Sequence, residues 1–172
     1  MKEQTIYSYK LLYRLRWRLV GPLVQLLLLG LGFALALRFT SVSLRQLIVS
    51  LAIVVVVPIL QFLFFRLYAY AHAQSVKLTP GTLFSPWWGA STPLPVSLSF
   101  FRGVELTVCA GSLLISSALY VWLPHAYGLA LLLGGLVLLL PRISALFVSW
   151  KRPDHCRVKY DGSSISFLTT DG

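Results

Sequence analysis

Long apolar runs, broken at regular intervals by short polar or proline-containing stretches, dominate this chain. Residues 46–66, QLIVSLAIVVVVPILQFLFFR, form the most apolar of them. Twenty-one residues at about 1.5 Å each give about 31 Å, enough to cross a hydrocarbon core. Comparable runs occupy 19–37, 104–123 and 127–150. The short connector 39–45 and the Pro124-His125 break make each flanking pair of runs antiparallel neighbours. The pattern therefore predicts an all-α integral membrane protein with four transmembrane helices, arranged as a transmembrane domain over 1–150 and a polar cytoplasmic tail over 151–172. Val54 to Val57 would suit a buried strand, but the length of the run around them favours helix. Pro58 removes one backbone hydrogen bond inside the second span and predicts a kink near Val54.

Outside the spans the patterns are shorter. In 1–18, Tyr7, Leu11 and Leu15 fall at helical spacing among Lys2, Lys10, Arg14, Arg16 and Arg18, which predicts a short interfacial N-terminal helix. The first span begins basic and contains Ala34-Leu35-Ala36, like a signal peptide. Its apolar run is longer than a signal core, so an uncleaved anchor is expected. Gly30 with Ala34, and Gly32 with Ala36, place small residues four apart on it. In the 67–103 connection, 76–78 and 82–84 flank Thr79-Pro80-Gly81 and predict a small β-hairpin. Pro86, Pro93 and Pro95 exclude continuous helix there, and Trp87 and Trp88 suit a headgroup boundary. A second hairpin is predicted in the tail, where 157–160 and 165–168 alternate around Asp161-Gly162-Ser163-Ser164.

Composition sharpens this picture. Apolar residues are 57% of 172 and charged residues 12%, so much of the surface faces lipid rather than water. The net charge of +10 raises a nucleic-acid reading, yet the basic residues form no single stripe. They gather beside the spans instead. With the N-terminus inside, segments 1–18, 67–103 and 151–172 hold five, two and four Lys and Arg, against Arg38 and Arg45 outside. Both termini are thus expected in the cytoplasm of a multi-pass cell-membrane protein. Its expected partners are the anionic inner leaflet and another membrane protein, not nucleic acid.

Candidate chemistry is sparse. There is no HExxH, no CxxC and no glycine-rich phosphate loop, and Cys109 and Cys156 make no zinc spacing. No catalytic, metal or cofactor-binding residue is assigned. Four residues stand out as structural or groove-lining candidates. Pro58 and Gln61 interrupt the second span, Glu105 opens the third, and Arg142 lies inside the fourth. Two arrangements are open for Arg142: pairing with Glu105, or reaching to the inner headgroups. Gln61 either bonds a neighbouring helix or lines a site.

The landmarks Val57-Pro58-Ile59-Leu60-Gln61-Phe62-Leu63-Phe64-Phe65, LTPGTLFS at 78–85 and KRPDHCRVKYDG at 151–162 follow one another in a familiar order. In that order the chain resembles small bacterial membrane proteins of a zincin-peptidase family, known mainly as a domain of unknown function. The resemblance implies a membrane scaffold whose early helix carries HExxH. Here Val57, Pro58 and Gln61 stand where the two zinc ligands and the base would be, and Arg142 lies near the late acidic ligand. The implied function is a non-catalytic, pseudo-protease-like scaffold that binds other membrane proteins. A small-solute transporter, or its substrate-binding subunit, is the alternative. A membrane metallopeptidase using unrecognised ligands comes third.

Overall fold

The computed structural model describes residues 9–17, 20–76, 85–162 and 164–170. Among the described residues four helical runs are long and apolar enough to cross a membrane: Val20–Phe39, Leu44–Ala71, Leu98–Trp122 and His125–Trp150. We label the first α1. The second comprises α2 (Leu44–Ser50), a 3-10 segment (Leu51–Val55) and α3 (Val56–Ala71). The last two are α4 (Leu98–Trp122) and α5 (His125–Trp150).

The break in the second run falls where Pro58 predicts it. Pro58 has no N–H to close the bond to the Val54 carbonyl four residues back, and a 3-10 segment, with i→i+3 bonding, occupies the turn before it. At its start, Ser43 caps α2 with a reciprocal bond to Gln46, fixing the turn out of α1.

Helix α5 is the hub, packing on α1, α2, the 3-10 segment, α3 and α4. Its Pro141 cannot donate to the carbonyl of Val137, four residues back, and that oxygen accepts from Gln25 Nε2 of α1 at 3.0 Å. The polar residue of the first span is thereby matched to a carbonyl that a proline leaves open. Otherwise α1 is mostly exposed, with Ala36 its single buried residue.

The N-terminal segment is a strand, not the interfacial helix its Tyr7, Leu11 and Leu15 spacing suggests. Strand β1 (Tyr9–Arg16) joins β2 (Val96–Ser97), β3 (Arg157–Asp161) and β4 (Ser164–Thr170) in a four-stranded antiparallel sheet of order β1-β4-β3-β2. Tyr13 and Leu15 also fit a period of two, and they pair with the inward-facing Phe167 and Ile165 of β4. A register shift between Leu11 and Tyr13 marks a bulge, so Tyr9 and Leu11, opposite Thr170 and Leu168, fall on the other face of the sheet. The fold is therefore helical with a small sheet, rather than all-α. The tail hairpin forms as expected, from Arg157↔Leu168 to Asp161↔Ser164. The hairpin expected at 76–84 lies outside the described residues except for Val76.

Strands β1 and β4 pair along their length, which places the first and last elements at one end of the bundle, here termed the sheet end. Residues 151–170 are no loose tail. Val158, Tyr160, Ile165 and Phe167 turn inward and share one core with Phe65 of α3 and Phe101 and Val104 of α4. Tyr160 meets Phe65 edge-on at 5.7 Å between ring centroids, and Phe101 meets Phe167 at 5.9 Å. Trp87 is also part of this core. On the outer face, Arg14 donates to Ser164 Oγ at 2.9 Å and lies 3.7 Å from Asp161, tying β1 to the hairpin.

Candidate functional site

Three helices present one buried polar residue each toward a common point near the sheet end. On α3 the buried positions Val57, Gln61, Phe65 and Ala69 recur every fourth residue, so Gln61 sits on the inward stripe. Glu105 lies among Phe101, Val104 and Val108 on the buried face of α4, and Arg142 between Leu139 and Ala145 on that of α5.

Arg142 and Glu105 form an ion pair, Nη1 to Oε2 at 2.8 Å, with both side chains 0% exposed. Arg142 does not reach outward to solvent. Its Nε donates to Gln61 Oε1 at 3.0 Å, and its Nη2 donates to the carbonyl of Trp87. The guanidinium fork thus serves three elements in one plane, which a lysine ammonium could not do. The second carboxylate oxygen of Glu105 accepts from Tyr160 Oη at 2.7 Å. Burial pushes the Tyr160 phenol well above its usual range, and the adjacent Glu105 charge and hydrogen bond push it further, with Arg142 opposing. Tyr160 therefore stays protonated and donating.

Trp87 is held by an unusual backbone. Trp88 has φ 38° and Gly89 φ 78°, and a Cβ on Gly89 would run into the Phe62 ring. A positive φ at a tryptophan is strained, and here it accompanies a buried turn whose carbonyl meets Arg142.

Of the four candidates, Gln61, Glu105 and Arg142 come together. Pro58 does not join them. It is half-buried, and it acts on the helix rather than in the cluster. Sequence reasoning missed Tyr160 and Trp87. For Tyr160 a signal existed: strand alternation sets it with Val158 on one face, and a buried carboxylate needs a donor for each oxygen. The Trp87 contact is a main-chain carbonyl and left no side-chain signature.

The acceptor oxygens of the cluster are occupied. Both Glu105 oxygens and the Gln61 oxygen are engaged, and the neighbouring cation would oppose a metal. Val57, which the sequence resemblance sets in the place of a zinc ligand, packs in the core with 0% exposure. His72 and His155 are exposed at the sheet end, whereas His125 starts α5 at the other end and bonds Tyr120. Among the described residues no three His, Cys, Asp or Glu side chains gather into a metal-binding group. The residues present thus do not fit a zincin centre. No family model, curated protein or solved structure matches the chain. The zincin likeness rests on the sequence landmarks alone.

Proposed function

We propose that this chain is a non-catalytic integral membrane protein that binds or positions other membrane proteins, on a scaffold resembling a zincin peptidase without its hydrolytic centre. It crosses the membrane four times with both ends in the cytoplasm. The observation that carries the reading is the mutual pairing of the buried charges Arg142 and Glu105. Arg142, Glu105 and Gln61 have no exposed surface, and their contacts hold three helices, a strand and a turn together. Buried charges so fully paired support a role in holding the fold's shape.

The sheet end supports the orientation. Lys10, Arg16, Lys151, Arg157 and Lys159 are exposed there, beside Tyr9, Leu11, Leu12 and Tyr13, a composition suited to an anionic inner leaflet.

Affinity purification of the full chain in mild detergent tests the proposal. A membrane protein retained at fixed stoichiometry is the expected result. A chain that purifies alone and catalyses solute uptake in vesicles would overturn it. So would stoichiometric zinc that leaves on chelation together with a peptidase activity.

A further inference from the structure

The interior of the bundle, next to the ion pair, holds polar atoms with no protein partner. Gln61 Nε2, Ser112 Oγ and Ser116 Oγ are buried and make no hydrogen bond, on residues at most 1% exposed. The Gln61 amide cannot be turned round to relieve this. Its oxygen accepts from Arg142 Nε, and a guanidinium is a donor only, so the NH2 must point elsewhere.

These atoms share a level in the bundle. A Cβ placed on Gly135 of α5 would lie 3.6 Å from Ser116 Oγ and 4.0 Å from Val57 Cγ2, which puts Ser116 and Val57 side by side. Further along, Phe64 lies against Gly111 and Tyr68 against Gly103, so α3 and α4 run antiparallel. Gln61, one turn past Val57, therefore falls opposite Ser112. Ser112 and Ser116 are themselves one turn apart on one face of α4, about 6 Å along the axis. That is too far for a direct bond, but two bonds of about 2.8 Å through a shared oxygen span it.

We propose that this place is an internal water site, bridging Gln61, Ser112 and Ser116 and extending the Arg142–Glu105 cluster into the middle of the bundle. The hydrogen bonds balance. The Gln61 amide donates to water, and water donates to the two serine oxygens. The serine hydroxyl hydrogens are free to rotate, so either serine can instead donate to the water while the other accepts from it. A buried water with three polar partners is normally retained. Gly135 leaves room beside it, because a methyl group there would make only ordinary contacts. The inference concerns the packed interior and does not depend on the proposed function.

The test is a double-mutant cycle on the full chain in detergent, with Ser112→Ala, Ser116→Ala and both together, read as thermal unfolding midpoints. A bridging water predicts that each single variant lowers the midpoint by about 2–4 °C and that the double variant loses clearly less than the sum. Additive losses would overturn the proposal, since hydroxyls bonded separately to their own helix have no reason to couple. An unchanged or raised midpoint in either single variant would overturn it too, because deleting an unbonded hydroxyl from a dry core costs nothing.

Discussion

Replacing Arg142 by methionine, a side chain of similar reach without charge, tests the cluster most directly. Three interactions go at once: the ion pair with Glu105, the bond to Gln61 Oε1 and the bond to the Trp87 carbonyl. Removing one partner of a buried pair typically costs about 3–5 kcal/mol, because the other charge stays behind uncompensated. Leaving a buried acceptor unpaired costs about 1–3 kcal/mol, and here there are two. The contributions share neighbours and do not add fully, so about 4–6 kcal/mol is expected. Against a total of about 5–15 kcal/mol for an ordinary domain, that is a large fraction of the stability. Arg142→Lys keeps the charge but loses the planar fork, and should fall between, at about 2–3 kcal/mol. Denaturant titration in detergent, followed by tryptophan fluorescence, reads both. Trp87 lies at the cluster and reports on it. An Arg142→Met protein within about 1 kcal/mol of wild type would refute the reasoning, since a cluster that can be deleted at that cost does not hold the fold together.

Tyr160→Phe removes the donor to Glu105 Oε1 and should cost about 1.5–3 kcal/mol, as for a hydrogen bond to a charged group. The same variant carries a pH signature. The folded phenol titrates above its unfolded value of about 10, so its contribution is complete below pH 10 and is lost as pH rises through the folded value. Stability of the wild type should therefore fall more steeply above pH 10 than that of Tyr160→Phe, and parallel alkaline unfolding curves would contradict this. Gln25→Leu leaves the Val137 carbonyl without its donor and should loosen α1, seen as faster proteolysis near residues 40–43 with α3 to α5 still protected. Cysteines placed at Lys10 and Lys159 should react with an impermeant reagent from the same side of the membrane. The native Cys109 and Cys156 are buried and give little background. Labelling from opposite sides would contradict the pairing of β1 with the C-terminal hairpin.

The helices were legible because each is a single unbroken apolar run with its own stop signal. Pro58 marked where the second run leaves regular α geometry, since a missing N–H acts within one turn. The N-terminal strand was not legible because its state depends on a partner about 150 residues away. YKLLYRLR fits both periods locally, and only the exposed edge of β4 decides between them. The cluster was half-legible for a similar reason. Glu105 and Arg142 stand out as charges that must be accounted for in an apolar run, which restricts them to few partners. Tyr160 is one of eight tyrosines in the chain, and nothing in its neighbourhood of sequence says that the strand folds back beneath α3 and α4. The Gln25 contact could have been anticipated. A proline inside a long apolar helix leaves one carbonyl open, and a lone amide in a neighbouring span is the natural donor.

An apolar core can be as stable as one built on a buried ion pair, or more so, and so the pair does not earn its place by strength alone. What it adds is position. Between helices in lipid there is little hydrophobic drive, because chain and solvent are equally apolar, and closely packed apolar faces can slide by a turn at small cost. A planar fork that must meet Gln61, Glu105 and the Trp87 carbonyl together allows one register of α3, α4 and the 85–90 turn. Tyr160 then fixes the sheet to the same point. The residue immediately before the fork does the complementary task on the other side of α5. Pro141 opens the Val137 carbonyl, and Gln25 of α1 docks there. Two consecutive residues of the central helix, one by missing a donor and the other by having several, set the positions of the elements on both of its sides.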